Sequence, residues 1–350
     1  MMSFELDTGK KSKTEIRLPA IKVIGVGGAG GNAVNRMISE GIHGVTFIAA
    51  NTDIQVLESN KAELKIQLGT ELTRGLGAGG NPNVGERAAE ESVDEIGTFL
   101  EDTDLLFITA GMGGGTGTGA APIVASIARE MGILTVAVVT TPFFFEGNTR
   151  LRTGHEGLRK LKNSVDTLIR ISNNKLLQEL PPNTSIVDAF AKADETLHHG
   201  IKGISELITK RGYINLDFAD VESVLRNAGT AMLGIGVGSG ERRAEEAARR
   251  ALESRLLEKP IDNATGIILN VSAKNITLRE MNIAAAIVRQ NCSEDADVKL
   301  GLIVDPEMSN DELNITLIAA GLELDEGELM GDASDIPAIY RFLLVDVQSE

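Results

Sequence analysis

Across the first half of the chain, short unbroken apolar runs alternate with longer stretches in which apolar residues return every third or fourth position. The runs have the length and β-branched content of strands buried on both faces, and the stretches between them read as amphipathic helices. Strands are predicted at 21–26, 45–50, 64–68, 104–110, 134–140 and 167–172. That rhythm implies a parallel sheet with helices on both faces, taking its ligands at the carboxyl ends of its strands.

A different pattern follows Pro181. Ser185 and Asp188 stand at capping-box spacing, and Ile186, Phe190, Ala193, Leu197, Ile201, Ile204 and Ile208 recur at steps of three and four. One apolar stripe therefore runs to about residue 210, a helix of some 25 residues or about 37 Å. Gly200 and Gly203 lie inside it at a cost of up to about 1 kcal/mol each relative to Ala, so close packing against both halves of the chain is expected there. Beyond Gly212 the pattern gives a helix at 220–228, strands at 230–238, 266–273, 298–304 and 314–320, and helices at 241–258 and 278–291.

The fold class read from this order is α/β, with an N-terminal parallel-sheet nucleotide-binding domain joined by a long central helix to a smaller C-terminal α/β domain with a mixed sheet. The divisions are a flexible segment at 1–19, the binding domain at 20–184, the helix at 185–211 and the second domain at 212–321. An acidic linker at 322–334 and a short apolar tail at 335–350 follow.

The nucleotide expectation comes from three glycine-dense loops, each after a predicted strand: 25–31, 75–80 and 113–119. Turns without side chains let backbone N–H groups approach an anion, and a following helix adds its positive end. The third loop, Gly113-Gly114-Gly115-Thr116-Gly117-Thr118-Gly119, sits between the strand at 104–110 and a helix predicted at 120–131, with Pro122 in its first turn. No Lys follows the glycines, so the loop differs from the lysine-bearing phosphate loop. Backbone dipoles, the Thr116 and Thr118 hydroxyls and Mg²⁺ are left to neutralise the phosphates. A further glycine run at 234–240 precedes Glu241, which would repel a phosphate, so it reads as a strand packed closely on its neighbours.

Composition narrows the partners. The 350 residues carry a formal charge of −16, 3% aromatic residues and no Trp, which argues against nucleic acid and against direct binding to an anionic membrane. Cys292 is the only cysteine, no apolar run is long enough to span a bilayer, and a cytoplasmic location is expected. The four histidines show no metal-ligand spacing. Taken alone, Gly25, Gly27 and Gly30 with Asp53 also fit a dinucleotide fingerprint, so a nicotinamide-dependent oxidoreductase is the alternative reading. The second and third loops weigh against it.

GGGTGTG at 113–119, GVGGAGGNAV at 25–34 and NLDFADV at 215–221 together resemble the FtsZ family of cell-division GTPases, relatives of tubulin. The resemblance runs from about Ile21 to Leu322 and resumes at Asp335 to Arg341. It implies a protein that binds GTP or GDP with Mg²⁺, polymerises head to tail and forms a ring at the mid-cell division site.

By that resemblance, Gly27, Gly28, Asn32, Asn51 and the loop Gly77, Ala78, Gly79, Gly80 line the phosphates and ribose beside the third loop. Asp194 and Asn173 read the base, whose adjacent N–H donors suit a carboxylate or amide oxygen. Glu146 with Arg150 holds the sugar. Phe190 packs on the base or, being on the apolar stripe, belongs to the core.

Asn215, Asp217 and Asp220 form a second candidate site. They read as loop or capping acids, with Asp220 a possible N-cap, or as catalytic groups. Helical rise puts them roughly 25 Å from Asp194, too far to act on their own subunit's nucleotide. The resemblance assigns them to hydrolysis in the neighbouring subunit. It also implies that 335–341 docks membrane tethers of the FtsA kind. The alternative for that tail is folding back on its own domain.

Overall fold

The computed structural model describes residues 18–177, 180–181, 183–209, 214, 216–254, 256–257 and 259–322. Asn215, residues 323–334 of the expected linker and the proposed docking segment at 335–341 lie outside the described residues, while Leu322, expected to begin the linker, is the last residue of the final strand.

In chain order the first elements are β1 (Ile21–Val26), α1 (Gly27–Ser39), β2 (Val45–Asn51), α2 (Ile54–Glu58), β3 (Leu64–Gln67), α3 (Thr70–Thr73), α4 (Pro82–Glu91) and α5 (Val93–Leu100). There follow β4 (Leu105–Gly111), α6 (Thr116–Glu130), β5 (Leu134–Thr141), α7 (Asn148–Ser164), β6 (Thr167–Ser172), α8 (Asn173–Leu177) and the long α9 (Ile186–Thr209). The remainder is α10 (Phe218–Leu225), β7 (Gly229–Ser239), α11 (Arg243–Leu252), β8 (Gly266–Ala273), α12 (Leu278–Arg289), β9 (Asp297–Val304) and β10 (Glu312–Leu322).

The first six strands are parallel and ordered β3-β2-β1-β4-β5-β6, so the chain reverses its winding between β1 and β4. A crevice opens at the carboxyl ends of strands at such a reversal. Alternation sorts the side chains: Ile21 and Val23 join the core that includes Ile201 and Ile204 of α9, while Ile24 and Val26 join the one that includes Val124 and Ala128 of α6.

The second half is a mixed sheet, as expected, with β10 antiparallel to β7 and β8, and β8 parallel to β9. It is not a separate sheet. Thr167, Leu168 and Ile169 of β6 pair in parallel with Gly229, Thr230 and Ala231 of β7, giving ten strands in a row among the described residues. The glycines of α9 show how the helix seats both halves: a Cβ on Gly200 would lie 3.0 Å from Leu233 and 3.6 Å from Val138, and one on Gly203 would lie 2.6 Å from Thr316.

The glycine run at 234–240 is the close-packed strand that its sequence implies. Cβ atoms on Gly234, Gly236 and Gly238 would lie 2.4, 2.0 and 2.0 Å from the carbonyl oxygens of Ala251, Ala247 and Arg243, so α11 rests directly on β7. That helix is shorter than predicted, and Arg243 is not on an exposed face. Arg243 is buried, donates to Asn275 O at 2.7 Å and to Asn310 O, and pairs with Glu280 at 2.7 Å. This holds the Glu280 carboxyl down at about 2.

Candidate active site

A cleft of about 300 Å³ opens at the carboxyl ends of β1, β4, β5 and β6. Of the residues predicted for the site it is lined by Gly28, Gly114, Gly115, Thr116, Gly117, Glu146, Arg150, Asn173, Phe190 and Asp194. Gly27, Asn32, Asn51, Gly77, Ala78, Gly79, Gly80, Gly113, Thr118 and Gly119 are not among its lining residues.

The first loop is hardly a loop. β1 ends at Val26 and α1 begins at Gly27, whose φ is +75°. Likewise α6 begins at Thr116, four residues before the predicted start, so Thr116 to Gly119 form its first turn and Pro122 is inside the helix. Glycine's poor helix propensity hides this start, and packing overrides it: a Cβ on Gly119 would lie 2.0 Å from Pro82 O, and one on Gly117 would lie 2.8 Å from Gly111 O. The N-termini of α1 and α6 thus open side by side into the cleft, with orphan N–H groups and positive dipole ends.

The glycines divide by what surrounds them. Around Gly28, Gly79, Gly80 and Gly114 an added Cβ meets nothing within 4 Å. Around Gly115 it meets Ala78 Cβ at 2.8 Å and Asn81 N at 2.9 Å, and around Gly27 it meets Gly117 N at 2.8 Å. Only Gly28 and Gly114, of these, are both open and on the cleft wall. The Thr118 hydroxyl is buried and accepts a hydrogen bond from Gly113 N at 2.8 Å, closing the turn from within. Thr116 and Thr52 share a 2.7 Å hydroxyl hydrogen bond that ties the start of α6 to the end of β2. Asn51 is buried and accepts from Asp53 N, whereas Asn32 is exposed on α1.

Two acceptors also line the cleft, Asn173 and Asp194. Asn173 is 4% exposed and its Oδ1 has no hydrogen-bond partner among the described residues. Burial pushes the Asp194 carboxyl up to about 6 against the opposing pull of Arg36. Phe190 is 40% exposed and packs edge-on against Phe143 at 5.0 Å and Phe145 at 6.3 Å, so it belongs to the cleft wall and not to the core. Also on the lining, Glu146 holds Arg150 at 2.5 Å and accepts from Phe143 N at 2.9 Å.

The sequence supports an assignment at the level of whole domains. Residues 20–181 match the tubulin/FtsZ family GTPase domain, and residues 229–323 match the FtsZ family C-terminal domain. The chain belongs to the tubulin/FtsZ family. It is similar to a solved structure described as an FtsZ dimer, empty, from M. jannaschii, at 46% identity over 88% of this chain and 90% of that one, with a TM-score of 0.84. The fold is shared at 18% identity, over 89% of this chain and 97% of that one, with CetZ1 from Haloferax volcanii, a GDP-bound monomer (TM-score 0.78). It is also shared at 20% identity, over 94% and 100%, with CetZ2 of the same organism, a GTPγS-bound protofilament (TM-score 0.74). This FtsZ-family chain is a cytoskeletal GTPase that binds guanine nucleotide.

Neither acid of the NLDFADV motif, Asp217 or Asp220, is among the residues lining the cleft. Asp217, not Asp220, is the N-cap of α10: its Oδ1 accepts from Asp220 N at 2.8 Å, and Asp220 Oδ2 accepts from Asp217 N at 3.4 Å. Sequence reasoning did not name Thr140, Thr141 and Pro142, which line the cleft at the end of β5. A signal was present, since a threonine pair and a proline end a strand on the carboxyl edge where ligands bind. Among the described residues no helix is long and apolar enough to cross a membrane.

Proposed function

We propose that the cleft takes GTP with its phosphates on the N-termini of α1 and α6 and its base at Asn173, Asp194 and Phe190. The single observation that carries this reading is the polarity of the cleft. Its lining combines backbone donors and open glycines at the starts of α1 and α6 with two acceptors, the Asn173 oxygen, which has no partner among the described residues, and the Asp194 carboxylate. Guanine supplies the adjacent N–H donors that such acceptors need, and adenine does not. The Glu146–Arg150 pair, on the same lining, is assigned to the sugar. The tubulin/FtsZ assignment removes the oxidoreductase reading, although the strand order alone would have allowed it.

We further propose that residues 20–184 form the GTP-binding domain, 185–211 the connecting helix and 212–321 the domain that completes hydrolysis. Asp194 is near the start of α9, and Asp217 and Asp220 follow its end, roughly 22 Å further on by helical rise from Asp194 to Thr209. The acids therefore serve a neighbour, in a head-to-tail stack that propagates because the two surfaces differ. Asn215 is included in that site by its place in the motif.

In the stack, a carboxylate takes the proton of a water whose oxygen forms a bond to the γ-phosphorus while the bond to the β–γ bridging oxygen breaks. Among the described residues no three His, Cys, Asp or Glu side chains converge to hold a metal. Mg²⁺ would be held chiefly by phosphate oxygens and water, and would supply charge neutralisation. The filament belongs to a cytoplasmic division ring, tethered through residues 335–341 to partners of the FtsA kind.

The test is Asp217→Ala. It should bind GTP as the unaltered protein does and lose turnover by about 10²- to 10⁴-fold. Unchanged turnover would contradict the proposal.

A further inference from the structure

The acid loop is fastened to a single strand. Upstream, Ile214 forms an isolated antiparallel bridge with Leu302, whose N–H donates to Ile214 O at 3.0 Å. Leu216 is buried, and its side chain would lie 3.7 Å from a Cβ on Gly301. Downstream, Lys299 Nζ lies 3.2 Å from Asp220 Oδ1 and 3.2 Å from Asp297 Oδ2. All of these anchors, Lys299, Gly301 and Leu302, belong to β9, the last strand of the sheet.

The hydrogen bonds divide the two acids by role. Both oxygens of Asp220 are engaged, one by Lys299 and one by Asp217 N. Asp217 spends one oxygen on Asp220 N, and its other oxygen has no partner among the described residues. Asp217 therefore carries the oxygen that can meet a water, and Asp220 is the group that fixes where Asp217 points.

We propose that Lys299 is a positioning residue for hydrolysis: by holding Asp220 against β9 it fixes the capping box of α10 and aims the free oxygen of Asp217 at the neighbouring subunit's nucleotide. This rests on the reading of Asp217 and Asp220 as acids supplied to a neighbour. Without the ammonium, the carboxylates of Asp217, Asp220 and Asp297 crowd one corner of a chain whose net charge is already −16, and like charges at short range drive each other apart. The two carboxylates in turn hold the Lys299 ammonium protonated, Asp220 contributing most. An exposed ion pair of this kind adds little to the stability of a fold, so its removal should register in turnover and not in folding.

The experiment compares full-length Lys299→Ala, Lys299→Arg, Asp220→Asn, the Lys299→Ala/Asp220→Asn double variant and Asp217→Ala. GTP turnover is measured per sedimented subunit, alongside GTP affinity and thermal unfolding. Lys299→Ala should lower kcat about 10-fold, within the roughly 10²-fold cost of an ångström of misplacement, with KM, affinity and melting temperature unmoved. Lys299→Arg should restore at least half of the rate. In the Asp220→Asn background the loss of Lys299 should change kcat by less than about two-fold, because a group acting through Asp220 has nothing left to act on. Asp220→Asn and the double variant give this answer even if Lys299→Ala alone folds poorly.

Wild-type turnover in Lys299→Ala, or losses that simply multiply in the double variant, would overturn the proposal provided Asp217→Ala is inactive. If Asp217→Ala hydrolyses GTP at the wild-type rate, the assignment of the acid loop itself falls, and the role of Lys299 falls with it.

Discussion

A Cβ placed on Gly115 would lie 2.8 Å from the Cβ of Ala78, because the second and third glycine loops pack against each other. Gly115 is therefore a contact between loops, whereas its neighbour Gly114 faces open space in the cleft. The two alanine variants should separate folding from binding. Gly115→Ala should destabilise the protein by about 1–3 kcal/mol through overpacking, read as a lower melting temperature. Gly114→Ala should melt normally and lose at least about 10-fold in GTP affinity, since its methyl group intrudes where a phosphate approaches the backbone.

With Asp194 as the proposed reader of the base, guanine binding should be sensitive to acid. Burial holds its carboxyl at about 6, and only the ionised form accepts both base donors. GTP affinity should be constant above pH 7 and fall about 10-fold for each unit below 6. The effect on folding has the opposite sign. A raised folded-state value means that the native protein keeps this proton better than the unfolded chain, so stability declines as pH rises from about 4 to about 6. Asp194→Asn should flatten both dependences. Titration of GTP affinity and melting temperature against pH measures them together.

Arg243 is a buried cation of the second half. Its removal takes the arginine donor from Glu280 Oε1, the Asn275 carbonyl and the Asn310 carbonyl, and Arg243→Ala should cost about 3–5 kcal/mol. Because the folded state holds Glu280 at about 2, its contribution is complete above the ordinary carboxylate range. The contribution is lost as pH falls from about 4.5 to about 2. Thermal unfolding of the parent and of Glu280→Gln at pH 7 and pH 3 should show the gap between them closing at the lower pH.

Phe190 should behave as a ligand contact. It is 40% exposed on the cleft wall beside Phe143 and Phe145. Phe190→Ala should raise KM for GTP several-fold and shift the melting temperature by less than a buried aromatic would, for which truncation costs about 3–5 kcal/mol.

Periodicity carried most of the sheet into view. β1, β6 and β8 begin and end where their apolar runs do, and the capping box of Ser185 and Asp188 marks the start of α9, with Asp188 N donating to Ser185 Oγ at 3.1 Å. What stayed hidden depends on contacts between distant segments. The start of α6 at Thr116 is set by α4 and β4 pressing on Gly117 and Gly119, not by the helix propensity of a glycine-threonine run. The burial of Arg243 needs Glu280 and Asn310, which are far along the chain. The joining of the two half-sheets rests on three residue pairs between β6 and β7. The candidate site was legible where loops follow strands, and it was illegible where a glycine can serve packing as readily as a ligand, as Gly115 does.

The account depends most on the separation of Asp217 and Asp220 from the cleft of their own subunit. GTP turnover per subunit, measured across protein concentrations from well below to well above the onset of light scattering, tests this directly. The rate per subunit should be near zero in the dilute range and rise steeply where filaments form. A rate per subunit that stays constant down to the monomer would contradict it.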